Sequence, residues 1–182
     1  MLFRSMAIVN VAALLREPPG TARTYPIELP AFAVADDVEL AAPVTGTVRL
    51  SRTGRSILAQ GSVRTVFVEP CSRCLVPTDA PVEATFEEEA LPSIDIDTGV
   101  PVDTSAEPDA LRIDDHHELD LTETIREAVS LAEPLVPRCR PDCRGLCLEC
   151  GANLNADPGH AHEGDGIDPR LAALADLRER LE

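Results

Sequence analysis

VTGTVRLSRTGRSILAQGSVRTVFVEP, residues 44–70, sets the fold class. Val44, Val48 and Leu50, then Ile57 through Val68, form two runs rich in β-branched and apolar residues. Between them Arg52-Thr53-Gly54-Arg55 is polar and carries a glycine, the chemistry of a tight hairpin turn. Downstream, Val82, Ala84 and Phe86 alternate with polar residues, which predicts another half-buried strand. Upstream, Tyr25, Ile27 and Leu29 predict one more, ending at Pro30.

Beyond residue 91 the texture changes. Residues 92–110, PSIDIDTGVPVDTSAEPDA, are acidic, proline-bearing and weakly patterned, so a mobile, solvated loop is expected. From Asp120 the period lengthens: Leu121, Ile125, Ala128, Val129 and Ala132 share one face of a helix. Asp120 with Glu123 three residues on reads as a capping pair. Pro134 ends the helix, because it donates no N–H and disfavours helical geometry in the residue before it. A last helix is expected from Asp168-Pro169, carrying Leu171, Leu174 and Leu181.

The chain thus divides into a β-rich part (1–91), an acidic loop with a strand (92–118) and a helical, cysteine-rich part (119–182). Together they predict one compact α+β domain. Its parts are a small antiparallel sheet or partial barrel, one packed amphipathic helix, and a zinc-stabilised C-terminal segment ending in a helix.

Composition narrows the function. Of the 182 residues only 3% are aromatic, so the core must be aliphatic. The formal net charge of −16 disfavours a simple nucleic-acid coat, since phosphates are met by clustered cations. A basic protein partner, or a local basic patch, fits better. The apolar run Ala7–Leu15 is broken by Asn10 and followed by Arg16, Glu17 and two prolines, so no leader peptide is read there, and Met6 is a second candidate start. No apolar stretch reaches the length of a membrane helix. A cytoplasmic protein is expected.

In a reducing compartment, closely spaced cysteines point to metal or redox chemistry rather than disulfides. Cys71-x2-Cys74 and Cys147-x2-Cys150 have knuckle spacing: one turn of backbone aims two sulfurs at one ion while its amides donate to them. Cys139, Cys143, His160 and His162 raise the candidate ligands to eight, enough for two tetrahedral zinc ions. One division puts Cys71, Cys74, Cys139 and Cys143 on one ion and Cys147, Cys150, His160 and His162 on the other. The alternative joins the two knuckles as a ribbon around a single ion. A thiol redox role for the pairs is a further reading. A catalytic zinc is disfavoured, because it needs an open position and usually an acid/base carboxylate beside it. No phosphate-binding glycine loop or nucleophile elbow is present. A non-enzymatic protein without a small-molecule substrate is expected. His116 and His117, after two aspartates, read as a solvated loop or strand edge.

Taken together, several motifs resemble the YceD family of large ribosomal RNA subunit accumulation proteins. They are Cys71-x-Arg73-Cys74-Leu75, the helix 119–131, Pro134-Leu-Val-Pro137, the run from Cys139 through Cys150-Gly151, Asn153-Leu154-Asn155 and Asp168-Pro-Arg-Leu171. The likeness runs from about residue 40 onward. In relatives the positions of His160 and His162 are often a Cys-x-Cys pair, which implies that both histidines are ligands. The resemblance implies a non-catalytic role in accumulating large-subunit (23S) rRNA, and hence in ribosome biogenesis. The implied partners are that rRNA or its precursor, or a basic large-subunit ribosomal protein that this acidic chain would escort. For the RNA reading, Arg73, Arg138, Arg140 and Arg144 crowd the metal loops, and Arg49, Arg52, Arg55 and Arg64 lie on or near the hairpin. The bland alternative is that these arginines pair with the surplus carboxylates.

Overall fold

A computed structural model describes residues 7–35, 38–103, 105 and 107–162. The predicted C-terminal helix from Asp168 lies outside the described residues. The hairpin expected over residues 44–70 is its backbone. Strands β5 (Val44–Thr53) and β6 (Ser56–Pro70) pair antiparallel from Thr45↔Arg64 to Thr53↔Ser56. Gly54 adopts φ 68° in the two-residue turn, where any Cβ is disfavoured. β6 then pairs along its whole length with β7 (Pro77–Pro92). Inward-facing Ile57, Ala59, Val63 and Phe67 alternate with outward polar residues on β6 and are fully buried.

Six shorter strands complete the fold: β1 (Ile8–Asn10), β2 (Ala22–Leu29), β8 (Leu111–Ile113) and β9 (Glu118–Asp120) join the main sheet, while β3 (Ala33–Ala35) and β4 (Val38–Glu39) make a separate two-stranded ribbon. The seven-stranded order is β1-β9-β8-β7-β6-β5-β2. All its pairings are antiparallel except β7 with β8. β2 ends the order, and Pro26 within it is tolerated because an edge strand need not donate on both sides.

The expected partial barrel is present as a sheet curled into a half-barrel, but among the described residues the fold is mostly β with few helices, less helical than the α+β reading implies. Two glycines mark close approaches in it. A Cβ at Gly46 would lie 2.7 Å from Val63 Cα and would overlap the Ser62 backbone carbonyl. At Gly61 the ring of Phe86 covers the space a side chain would take.

The helix is shorter at its start than expected. α2 spans Thr122–Leu131, and Leu119 and Asp120 belong to β9. Leu119 is fully buried as a strand residue. Leu121 occupies the N-cap, while Asp120 Oδ1 accepts from the Thr122 N–H at 2.8 Å. Glu123 faces Arg126 at 3.9 Å, so the expected capping box is replaced by a local carboxylate–amide bond. Ile125 and Val129 are buried, and α2 packs on β6 and β7.

The run Ala7–Leu15 feeds the core from β1 and a one-turn helix, α1 (Ala12–Arg16), with Ile8, Asn10 and Ala13 facing out. Ala7, Val11 and Leu14 are fully buried. The acidic segment contains an ordered turn: Asp95 Oδ1 accepts from the Thr98 N–H and Oγ1 at 2.8 Å and from the Asp97 N–H at 3.1 Å. The Thr98 amide leads the donors that lower the Asp95 pKa. His116 and His117 lie in the β8–β9 turn, His117 at φ 60°.

Among described residues the chain forms two compact units. One takes in residues up to Ser72 and Val76–Cys139; the other is Arg73–Leu75 and the residues from Arg140. The aliphatic core belongs to the first.

Candidate metal centres

Cys71 follows Pro70, the last residue of β6, and Pro77 begins β7, so the first knuckle caps the long hairpin. The Cys71 N–H donates to the Val76 carbonyl at 2.8 Å. The second knuckle has the same wiring in a smaller frame: the Cys147 N–H donates to the Ala152 carbonyl at 2.8 Å, beside the Leu146↔Asn153 bridge. In both, the residue after the second cysteine has positive φ: Leu75 at 59° and Gly151 at 72°. Glycine suits that backbone and leucine does not. Leu75 is also 64% exposed, so little packing offsets the strain. Leu75→Gly is expected to leave stability unchanged or raise it by up to about 1 kcal/mol. Chemical denaturation measures this, and a clear loss would show that the leucine side chain is needed for folding.

The eight predicted ligands fall into two groups of four. Within each group the ligand atoms lie within 4.8 Å of one another. Cys71, Cys74, Cys139 and Cys143 make one group, and Cys147, Cys150, His160 and His162 the other. The ribbon alternative, which joined the two knuckles, does not match this grouping. Tetrahedral zinc with sulfur at about 2.3 Å separates its ligands by about 3.8 Å, so both groups are the right size. In the second, Cys147 Sγ and Cys150 Sγ each approach a histidine Nε2 at 3.2 Å, and the two Nε2 atoms are 3.0 Å apart.

The surroundings also suit thiolates. Backbone N–H groups of Cys150 and Glu149 lower the Cys147 thiol from 9.0 to about 6, with a smaller contribution from His162. Asn155 Nδ2 donates to Cys143 Sγ at 3.3 Å, and its Oδ1 accepts from the Arg144 N–H at 2.8 Å. Asn153 Oδ1 in turn holds Asn155 at 3.0 Å. The signal for this bracing role in the sequence is the spacing of Asn153 and Asn155, two residues apart just after a knuckle.

The arginines divide. Arg73 Nη1 donates to the Cys143 carbonyl and Arg144 Nη1 to the Pro158 carbonyl, each at 2.7 Å. Both brace loops. Arg140 lies 3.7 Å from Asp142, and Arg138 is exposed. On the sheet, Arg64 pairs with Glu83 at 3.3 Å and Arg52 Nε donates to the Gly54 carbonyl. The bland reading thus holds for Arg64 and Arg140.

The family model for the large ribosomal RNA subunit accumulation protein YceD matches residues 59–178. The chain belongs to the YceD family. A Mycobacterium tuberculosis protein described as uncharacterized is 37% identical over 131 residues, covering 71% of this chain and 59% of its own length. One from Mycobacterium leprae is 36% identical over 141 residues, covering 77% and 61%. In Arabidopsis thaliana, the chloroplastic large ribosomal RNA subunit accumulation protein YCED homolog 1 is 30% identical over 164 residues, covering 77% and 50%. This YceD-family chain therefore spans between half and about three-fifths of the length of these relatives. No solved structure matches it. No helix among the described residues is long and apolar enough to cross a membrane.

Proposed function

We propose that this chain is a cytoplasmic, non-catalytic ribosome-biogenesis factor that supports accumulation of large-subunit rRNA, with zinc at both centres. Family membership is the observation that carries the reading. The metal part is supported by two four-ligand groups of tetrahedral size. Each group already offers four protein ligands, the number of a closed structural site, whereas catalytic zinc keeps a position open. The zinc supplies folding energy, and the chain's own residues supply the surface.

The partner is rRNA or its precursor. Arg138 and Arg140 are the arginines to contact phosphates, because Arg73 and Arg144 already spend donors on the fold, while the Arg140–Asp142 pair is exposed and readily exchanged. The net charge of −16 supports a second reading, in which the chain escorts a basic large-subunit ribosomal protein. A pull-down of the tagged chain, with and without nuclease, separates them. RNA crosslinks lost in an Arg138→Glu, Arg140→Glu variant support direct RNA contact. A basic ribosomal protein retained at stoichiometric level after nuclease supports escort. Recovery of neither overturns the proposal.

A further inference from the structure

The second centre is held by more than its four ligands. Cys147, Cys150, His160 and His162 present two sulfurs and two Nε2 atoms toward one point. The other ring nitrogens face outward onto carboxylates: His162 Nδ1 lies 3.4 Å from Glu149 Oε2, and His160 Nδ1 lies 3.8 Å from Asp157 Oδ2. A neutral imidazole carries its proton on one nitrogen only. A carboxylate beside Nδ1 keeps the proton there and leaves the Nε2 lone pair bare. With both rings in that state, two lone pairs meet 3.0 Å apart beside two sulfurs. Four electron-rich atoms so placed repel one another unless a cation stands among them.

We propose that Glu149 and Asp157 are positioning residues of this centre: Glu149 holds the Nε2-binding tautomer of His162, and Asp157, beyond hydrogen-bond reach of His160 Nδ1, favours the same tautomer there by its charge alone. The placement is local to the loop. Glu149 sits inside the second knuckle, between Cys147 and Cys150, so the turn that aims the sulfurs also aims this carboxylate. Asp157 is tied down by its Oδ1, which accepts from the Gly159 N–H at 3.2 Å, and its backbone carbonyl accepts from the His160 N–H at 3.2 Å. Outer carboxylates of this kind orient a ligand ring and raise its basicity, and losing one costs roughly 10–100-fold in metal affinity. Here both are more than half exposed, so about tenfold each is expected.

The inference rests on the metal reading above, and the test keeps the two separable. The full chain is stripped of metal and titrated with Co²⁺ alone and with Zn²⁺ against a chelator. The cobalt absorption separates a sulfur-only centre from a mixed sulfur–nitrogen one. Glu149→Ala and Asp157→Ala should each weaken the mixed centre about tenfold and leave the other unchanged. Glu149→Gln and Asp157→Asn, which keep an acceptor oxygen, should recover much of the loss. In a His160→Cys, His162→Cys background there is no second ring nitrogen to orient, so the same alanine changes should have no effect. Failure of the parent to bind at the mixed centre would overturn the metal reading itself. Parent-like affinity in the alanine variants, or an equal loss in the cysteine background, would overturn the positioning role alone.

Discussion

Replacing Cys143 with Ser is expected to cut the bound zinc from two ions to one and to open the segment 140–162 to protease. Cys143 is 1% exposed, and Cys71 and Cys74 in the same group are 0% and 4% exposed. Buried thiolates this close repel unless an ion neutralises them. The segment has little else to hold it. The buried hydrophobic residues run as far as Val129, and beyond that only Cys143 is among them in the described chain. Its regular backbone pairing is the single Leu146↔Asn153 bridge. So small a piece cannot fold on apolar burial. Structural zinc contributes on the order of 10 kcal/mol in small modules, comparable with the ~5–15 kcal/mol of a whole domain. Trypsin should therefore cut the variant at Arg144–Gly145, while the sheet keeps its circular dichroism. Cys74→Ser should behave alike. A variant with both ions and the parent's resistance would refute this account of the segment.

The second large effect is on the sheet. Gly46→Ala is expected to destabilise the chain by about 3 kcal/mol or more, because the new Cβ meets backbone rather than a side chain that can turn aside. The Ser62 carbonyl and Val63 Cα belong to β6, whose register with β5 is fixed on both sides of the glycine. Relief requires breaking that ladder. Gly54→Ala is the control: its φ of 68° is costly for alanine, but nothing lies within 4 Å of the new carbon, so about 1 kcal/mol is expected. Urea unfolding of the two variants should separate them clearly. Equal midpoints would mean that β5 and β6 do not approach so closely at this point.

The long hairpin was legible because each of its features is local. Alternation runs through Ile57, Ala59, Val63 and Phe67, and the turn at Gly54 is chemically marked. β1, β8 and β9 were not: three residues are too few to display a period, and what stabilises them is pairing with distant strands. Ala7–Leu15 reads as a bare apolar run because a short strand and one helical turn share it. At the start of α2 the competing signal was a strand, in which Leu119 is drawn into the core before the helix begins. The eight ligands were legible from spacing, since Cys-x2-Cys and His-x-His bring their own geometry, but their division was not, because spacing left the two-group and ribbon arrangements both open. Glu149, Asp157 and Asn155 did not, because in a chain this acidic no spacing says which carboxylate faces a histidine.

The measurement that bears most directly on the proposed role is the ratio of large- to small-subunit rRNA in cells depleted of this chain. Rescue is attempted with the wild type or with Cys71 and Cys74 both changed to Ser. The account predicts that the ratio falls on depletion, that wild type restores it, and that the double variant does not. A ratio unmoved by depletion would contradict the role in large-subunit rRNA accumulation; full rescue by the variant would separate that role from the metal.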